Sequence, residues 1–443
     1  MNYAQIRYMD ISNGEGIGVS LFVQGCKFYC YNCFNQETWD INGGKPFTDK
    51  TQKLFFDLID HPYITRISFL GGSPLIDENV ITINNLICQI KDVFPDKKIW
   101  LYTGFLYEDI VNAITEALGG KFYENFETLE GLPKLTAKRS VTTGGHFAYL
   151  KIAEGCNKRC TYCIIPYIRG NYRSVPMEEL VAQAKELVAA GAKELILVAQ
   201  ETTLYGVDLY GEKSLHKLLD ALNEIPGLFW IRIMYCYPEE IYEELIDAIA
   251  RNEKVCHYLD LPIQHANDTM LKRMGRRTSN ADLVRIITHL RERIPDITLR
   301  TTLICGFPGE TKEMHEELMQ FINDMEFDRL GAFTYSPEEG TPAAEFPDQI
   351  DEETKKEWQA DVMELQEEII FDKNEEMKGR ELYVFIEGKV SDENAYIGRT
   401  YRDAPDVDGY IFINTDETLM TGDIVKVKVT GAYEYDLIGE ICQ

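Results

Sequence analysis

Strand-like and helix-like runs alternate six times between residues 147 and 340, and this alternation constrains the fold more than any other feature. The apolar runs include FAYLKIAEG, ELILVAQ and ITLRTTLICGFPG, and segments of helical period such as PMEELVAQAKELVAAG separate them. Strands connected through helices run parallel, because the helix returns the chain to the same end of the sheet. The pattern predicts an α/β fold, a partial (β/α)6 barrel with ligand sites at the carboxyl ends of its strands.

The remaining chain predicts further modules on either side of this barrel. The first 110 residues hold three strand-like runs, GVSLFVQGC, RISFLGGSPL and KKIWLYTGF, which indicate a truncated α/β domain. A long charged amphipathic helix follows the barrel, and short alternating runs separated by Gly, Asn and Asp then predict a small all-β barrel. The expected boundaries are 1–115 for the truncated domain, 116–145 for a linker, 146–350 for the partial barrel, 351–379 for the connecting helix and 380–443 for the β-barrel.

Charge and composition limit the partners of the chain. Its 443 residues carry a net charge of −28, which gives no general attraction for nucleic acid or an anionic membrane and favours a basic protein partner. No apolar run reaches about 18 residues, and the N-terminal sequence lacks the pattern of a signal peptide. The 11 cysteines are odd in number and mostly clustered, which argues against a disulfide framework. We therefore expect a cytoplasmic protein with no membrane contact.

Two cysteine triplets share the spacing Cys-x3-Cys-x2-Cys, and each directly follows a strand-like run. Three thiolates on one loop can hold an iron–sulfur cube with one iron left open, or a zinc ion that borrows a fourth ligand. Three unrelated core cysteines are the plainest alternative. The scattered residues Cys88, Cys236, Cys256 and Cys305 are expected to be small buried hydrophobes. The triplets are Cys26, Cys30 and Cys33 in the first part and Cys156, Cys160 and Cys163 in the second.

The second part of the chain contains the segments LKIAEGCNKRCTYCIIPYIRG, YLDLPIQHANDTMLKRMGRR, LRTTLICGFPGET and FDRLGAFTYSPEEGTPA. In these segments among others, the sequence from about residue 120 to residue 443 resembles the RimO family of radical S-adenosylmethionine (SAM) methylthiotransferases. The resemblance implies that the second triplet ligates a [4Fe-4S] cluster whose open iron binds SAM, and that the C-terminal β-barrel is a TRAM domain. It also implies methylthiolation of an aspartate in a small-subunit ribosomal protein. The resemblance does not extend to the usual N-terminal domain of the family, so we expect its auxiliary-cluster domain to be missing.

The same resemblance implies the cofactor contacts. Tyr162 is expected beside the cluster and adenine, and the end of the second barrel strand is expected to face the SAM amino group. Each of these residues could instead be an ordinary satisfied side chain at a strand end. We expect no catalytic residue beyond the cluster ligands. The expected cofactor-binding residues in this part are Tyr162, Ala199, Gln200, Gln264, Arg300, Ile304 and Gly306, of which Gln264 and Arg300 could contact substrate instead.

The first part of the chain contains the stretches NGEGIGVSLFVQGCKFYCYNCFNQETWDINGGK, ISFLGGSPL and KKIWLYTGF. In these stretches residues 1 to about 115 resemble a different family, the activating protein of the anaerobic ribonucleoside-triphosphate reductase. This resemblance implies that the first triplet holds a second [4Fe-4S] cluster and that a reductase subunit is a possible partner. Gly71 and Gly72 correspond to the turn that receives the SAM amino group, whereas Ser73 replaces an acidic residue common in that family.

The C-terminal β-barrel distinguishes between possible substrates. Residues 380–443 contain 6 Lys or Arg and 13 Asp or Glu, a net charge of −7. A module that binds tRNA should be basic, so a basic ribosomal protein is the expected substrate and RNA binding is less expected. The radical chemistry requires an electron donor of the flavodoxin or ferredoxin type. Alternative functions are a glycyl-radical activase for the anaerobic reductase, a tRNA methylthiotransferase and a non-catalytic module that docks a ribosomal protein.

Overall fold

A computed structural model describes residues 1–10, 12–13, 16–29, 33, 35–104, 145–390 and 394–442. The chain forms two compact units, Met1–Phe126 and Glu127–Gln443. Cys30 and nearly all of the predicted linker 116–145 lie outside the described residues.

The first unit is a five-stranded sheet with two described helices. Strands β2 and β4 pair in parallel and are the most buried, and the spatial order of the strands is β3-β1-β2-β4-β5. The helices contribute Phe55, Ile59 and Ile83 to a core that contains Leu21 and Phe69. The elements are β1 Asn2–Asp10, β2 Gly18–Val23, β3 Lys45–Pro46, α1 Asp49–Ile59, β4 Arg66–Gly71, α2 Asp77–Val93 and β5 Lys98–Leu101.

The sequence prediction missed strand β1. This strand pairs antiparallel with β2, and most of its residues are only half-buried. Side chains in such a position need not be strongly apolar, so the run NYAQIRYMD carries little of the hydrophobic signal on which strand prediction depends. The described part of the first unit therefore has more strands than the three that were predicted.

The second unit begins with the predicted partial barrel. Six parallel strands lie in the order β13-β12-β11-β10-β9-β6, and helices on the outer face bury Leu, Ile and Ala side chains against them. Because the spatial order follows the chain order, each connection joins two neighbouring parallel strands. The barrel strands are β6 Phe147–Lys151, β9 Glu194–Val198, β10 Trp230–Ile233, β11 Val255–Asp260, β12 Thr298–Cys305 and β13 Arg329–Thr334.

Helices and one short strand pair complete this unit. A two-stranded pair, β7 Ala153–Glu154 with β8 Arg173–Ser174, stands apart from the main sheet. The helices are α3 Ile165–Arg169, α4 Met177–Ala189, α5 Val207–Tyr210, α6 Leu215–Asn223, α7 Glu243–Arg251, α8 Asp268–Arg273, α9 Asn280–Arg293, α10 Lys312–Met325 and α11 Glu352–Glu375.

Helix α11 leads into the closed five-stranded barrel that the alternating C-terminal runs predicted. The strands pair in the order β14-β15-β16-β18-β17 around a core that includes Val384, Ile411 and Val427. They are β14 Glu381–Lys389, β15 Ala395–Arg399, β16 Ile411–Asn414, β17 Ile424–Tyr433 and β18 Asp436–Ile441. The predicted fold, a partial barrel followed by an all-β barrel and preceded by an α/β domain, is confirmed.

The small β-barrel packs against the inner face of the parallel sheet. Phe385 lies edge to face on Trp230, with ring centroids 4.6 Å apart, and Ala404 is buried in the same cluster. Beside them Glu194 accepts from Arg232 at 2.8 Å and from Arg399 at 2.6 Å, and all three side chains are fully buried. The β-barrel is thus joined to the sheet through both an apolar contact and a buried ion network.

The four cysteines outside the two triplets that were expected to be buried differ in their exposure. Cys236, Cys256 and Cys305 are buried as predicted, but Cys88 is exposed on α2, so that prediction was wrong for one of the four. The side of this helix that faces the core carries Ile83, Leu86 and Ile90 instead.

Among the described residues, no helix is both long enough and apolar enough to cross a membrane.

Candidate functional site

The residues expected to bind the cofactor gather at the carboxyl edge of the parallel sheet. Cys156 follows the first barrel strand, Gln200 follows β9, Gln264 follows β11 and Gly306 follows β12. Because the strands are parallel and adjacent, their ends bring these positions to one edge. The edge is where ligands bind in folds of this type.

The loop with the second cysteine triplet is closed at its base by the β7–β8 pair. Ala153 pairs with Ser174 and Glu154 with Arg173, and the Cys156 amide donates to the Gly170 carbonyl at 3.2 Å. Gly155 sits at this closure with φ +81°, and a Cβ there would lie 2.2 Å from the carbonyl oxygen of Asn171. Only glycine fits this position.

The three cysteines of this loop are sheltered from solvent. Cys156 and Cys160 are buried and Cys163 is half-buried. Burial raises the pKa of the Cys156 thiol to about 11, and it raises the pKa of the Cys163 thiol as well. At neutral pH both therefore stay protonated until a metal centre displaces the proton, so metal binding by this loop is coupled to proton release.

Sequence reasoning missed three residues around Cys160. The Tyr237 hydroxyl lies 2.9 Å from Cys160 Sγ, the Arg276 guanidinium stacks 4.1 Å from the Tyr237 ring centroid, and Lys158 Nζ lies 4.9 Å from it. Burial raises the pKa of Tyr237, so its hydroxyl keeps its proton. One signal could have found Tyr237, since it follows β10 as Gln200 and Gln264 follow their strands.

Gln200 and Ala199 lie directly after β9. Gln200 Oε1 accepts from the Gly155 amide at 2.8 Å, so this side chain helps hold the start of the cysteine loop. Ala199 is buried. The next residue, Glu201, is fully buried, and its Oε1 accepts from the Thr203 amide at 3.0 Å. Burial raises the pKa of Glu201 to about 7.

Gln264 and Ile304 are joined through the backbone. Strand β11 ends at Asp260, short of the predicted end at Gln264, because Pro262 has no amide hydrogen to continue the ladder. Gln264 has φ +70° and forms an isolated bridge with Leu303, and its carbonyl accepts from the Ile304 amide at 2.9 Å. The strained backbone places the half-buried Gln264 side chain at the carboxyl edge.

The turn after β12 is fixed by a buried carboxylate. Glu310 Oε2 accepts from the Gly306 amide at 2.7 Å and from the Phe307 amide at 3.0 Å, and His265 Nε2 lies 3.2 Å from Glu310 Oε1. Phe307 packs edge to face on Tyr162, which is half-buried. The turn at Gly306 and the cysteine loop are therefore in contact through two aromatic rings.

Arg300 lies deeper in the barrel and is already paired. Its Nη1 donates to Asp260 at 2.8 Å, and its Nε lies 3.3 Å from Asp408 of the small β-barrel. Tyr258 also donates to Asp408, at 2.7 Å. A structural role in seating the β-barrel accounts for these contacts of Arg300.

The first unit repeats part of this arrangement. Strand β2 leads to the half-buried Cys26, and its neighbour β4 ends at Gly71. The Gly72 amide donates to the Val23 carbonyl at 2.9 Å, and a Cβ on Gly72 would lie 2.4 Å from the Gly25 carbonyl oxygen. The glycine turn thus packs against the residues that precede Cys26, whereas Cys30 lies outside the described residues.

Comparison with known proteins matches most of this chain. It is 58% identical over 333 residues to the ribosomal protein uS12 methylthiotransferase RimO of Lachnoclostridium phytofermentans, covering 75% of this chain and 76% of that protein. It is 45% identical over 353 residues to the RimO protein of Clostridium botulinum, covering 80% and 79%. The chain belongs to the RimO family of radical SAM methylthiotransferases.

Three family models match successive parts of this RimO family member. A 4Fe-4S single cluster domain matches residues 12–128, the radical SAM superfamily matches 150–322, and a TRAM domain matches 379–442. Among solved structures, the radical SAM methyltransferase TsrM of Kitasatospora setae is 20% identical with a TM-score of 0.38, covering 45% of this chain and 38% of that one. The expected cofactors, [4Fe-4S] and SAM, are those of the matched descriptions and family.

The residues present fit a cluster of this kind. Among the described side chains, no three His, Cys, Asp or Glu converge as ligands of a single ion do. A [4Fe-4S] cluster presents a separate iron to each thiolate, so its ligands are spread over the cluster. Near the cysteine loop, the buried Arg276 has two nitrogens, Nε and Nη1, without a hydrogen-bond partner in the described part of the chain. Such donors suit an anionic group.

Proposed function

We propose that this RimO family member methylthiolates an aspartate of the ribosomal protein uS12. The observation that carries the proposal is the placement of the Cys156, Cys160 and Cys163 loop at the carboxyl edge of the six-stranded sheet. The relatives with 58% and 45% identity bear the name of this activity. Bound there, the cluster and SAM supply the radical chemistry, and the chain supplies orientation and exclusion of water.

We assign the cofactor contacts by the same reasoning. Tyr162 and Gly306 would flank the cofactor, since Phe307, the residue after Gly306, packs against the Tyr162 ring. Ala199 and Gln200 would lie beside the start of the loop, and Gln264 and Ile304 at the adjacent strand ends. Arg300 is the weakest member of the set, because Asp260 and Asp408 already pair with it.

The net charge of −7 on residues 380–443 supports a basic protein substrate over tRNA. We place the reaction in the cytoplasm, where a ribosomal protein is available, with a flavodoxin or ferredoxin as the electron donor. We also propose the division of the chain at 1–115, 116–145, 146–350, 351–379 and 380–443.

The test uses anaerobically reconstituted full-length protein and its Cys156→Ala variant. We expect the wild type to cleave SAM and to add one methylthio group to uS12, located by mass spectrometry, and the variant to do neither. A product on tRNA instead of uS12 would favour the tRNA alternative. Binding of uS12 without SAM cleavage by either protein would favour a docking module.

The first unit supports a second candidate activity. The turn at Gly71 and Gly72, which ends the strand next to β2, packs against Gly25 just before Cys26. In the second unit Gln200, which follows the strand next to β6, likewise contacts the residue just before the first cysteine of the loop. We propose that Cys26, Cys30 and Cys33 hold a second [4Fe-4S] cluster in a unit derived from an activating protein of the anaerobic reductase. Iron analysis should show a loss of about half the iron in Cys26→Ala. A glycyl radical formed on added reductase, detected by electron paramagnetic resonance, would establish activase activity, and its absence would reject it.

A further inference from the structure

Tyr237 and Arg276 form a stacked pair against the middle cysteine of the loop. The Tyr237 hydroxyl lies 2.9 Å from Cys160 Sγ, and the centre of the Arg276 guanidinium lies 4.1 Å from the Tyr237 ring centroid. Neither residue belongs to the cysteine motif, and they come from the segments that follow β10 and α8. The fold therefore brings one long-range donor, Tyr237, to this sulfur and a cation, Arg276, against the ring of that donor.

Chemistry fixes the direction of the hydrogen bond at Cys160. A thiolate that ligates iron has no proton to give, so it can only accept, and the Tyr237 hydroxyl must donate. A hydrogen bond to a cluster sulfur stabilises negative charge on the cluster. Because the reduced cluster carries one more negative charge than the oxidised cluster, the bond favours reduction.

Arg276 adds a cation that cannot move away. Its side chain is 1% exposed, and its Nη2 donates to the Pro262 carbonyl at 3.1 Å and lies 3.4 Å from Glu239. Its Nε and Nη1 have no hydrogen-bond partner within the described residues. Burying unpaired donors is costly, so an acceptor is expected beside them in the loaded protein.

We propose that Tyr237 and Arg276 are positioning residues that raise the reduction potential of the cluster on Cys156, Cys160 and Cys163. They do so by stabilising the state reached when an external one-electron donor adds an electron to the cluster. The inference rests on the proposed assignment of the cluster to these three cysteines.

The experiment is a redox titration followed by electron paramagnetic resonance on the full-length chain without SAM. A Cys26→Ala background removes the signal of the first triplet. We expect Tyr237→Phe to shift the cluster about tenfold away from reduction, which is about 59 mV lower for a one-electron couple. Arg276→Gln should shift it in the same direction, and Arg276→Lys, which keeps the charge, should recover part of the shift. The control Tyr258→Phe removes a buried hydroxyl that donates to Asp408 instead and should leave the potential unchanged.

The possible outcomes separate this inference from the proposed function. If the Cys26→Ala protein contains no cluster, both are overturned. If it contains one, and Tyr237→Phe has the same iron content and the same potential, the inference alone is overturned. If Arg276→Gln weakens SAM binding without shifting the potential of the SAM-free cluster, Arg276 is a SAM ligand and its assigned role is rejected. Circular dichroism spectra matching the parent protein identify variants that are folded.

Discussion

At the scale of single residues, Gly155 decides the shape of the cysteine loop. Its φ of +81° favours glycine, and the carbonyl oxygens of Asn171 and Gly170 lie 2.2 and 2.6 Å from the position of a Cβ. Gly379 has a similar φ of +86°, but no atom lies within 4 Å of its Cβ position. The two glycines therefore separate the effect of backbone strain from that of a steric clash.

We predict that Gly155→Ala destabilises the loop and lowers the iron content of the reconstituted protein. Gly379→Ala should cost about 1 kcal/mol from the positive φ alone and leave iron content unchanged. Thermal unfolding and iron analysis of both variants test this. Equal iron content in Gly155→Ala and the wild type would contradict this prediction, because the loop would then accommodate the added Cβ.

Glu310 acts on a neighbouring turn through two backbone amides. Removing its charge weakens the bonds from Gly306 and Phe307, and the turn loses its fixed position. We predict that Glu310→Gln raises the KM for SAM several-fold with a smaller change in kcat. Glu316→Gln, an exposed change on α10, is the control. A fall in kcat with an unchanged KM would contradict a role in placing SAM.

At the scale of elements, the buried ions that join β9, β10 and β15 depend on pH. Burial by itself raises the pKa of Glu194, but Arg399 and Arg232 more than offset this and hold that pKa below its usual range. The depressed pKa contributes stability that is fully present above about pH 4.3, the value of a free glutamate, and is lost as the pH falls further through the folded value.

Glu194→Gln tests this network. It removes the anion and leaves two buried guanidinium groups, so we expect a loss of about 3 kcal/mol or more at pH 7. Glu381→Gln breaks an exposed pair with Lys426 and should cost less than about 1 kcal/mol. Denaturant unfolding from pH 7 downwards should show the difference between wild type and Glu194→Gln shrinking below about pH 4.3. A difference independent of pH would contradict the assignment of the charge.

The elements also show what the sequence could predict. The barrel strands were predictable because their apolar runs are local and strongly periodic. The pairing of Tyr237 with Cys160 was not, because 77 residues separate them and no local pattern encodes a contact of that range. Strand β1 was missed because its half-buried residues give a weak signal, and the bend before Gln264 was missed although Pro262 marks it. The roles assigned to the individual cofactor contacts stay predictions.

At the scale of the whole molecule, each unit has its own hydrophobic core. Leu21 is fully buried in the core of the first unit, and Leu195 is fully buried in that of the second. Replacing either leucine with alanine should destabilise its own unit by about 2 to 5 kcal/mol. Two compact units with separate cores are expected to unfold as separate cooperative units.

Hydrogen exchange measured by mass spectrometry tests this expectation in the intact chain. Leu21→Ala should speed exchange in peptides from residues 1–104 and leave peptides from 145–442 unchanged, whereas Leu195→Ala should do the reverse. Faster exchange throughout the chain in either variant would show that the two units unfold together.

The seating of the small β-barrel on the inner face of the sheet limits how proteins of this architecture can change. Phe385, Arg399 and Asp408 meet Trp230, Glu194 and Arg300 across that contact. A β-barrel transplanted from a relative would therefore also need the residues of the sheet that contact it in that relative. Without them, buried charges at this contact would be left unpaired. New substrates are more accessible to evolution and to engineering through the outward loops of the β-barrel than through exchange of the whole module.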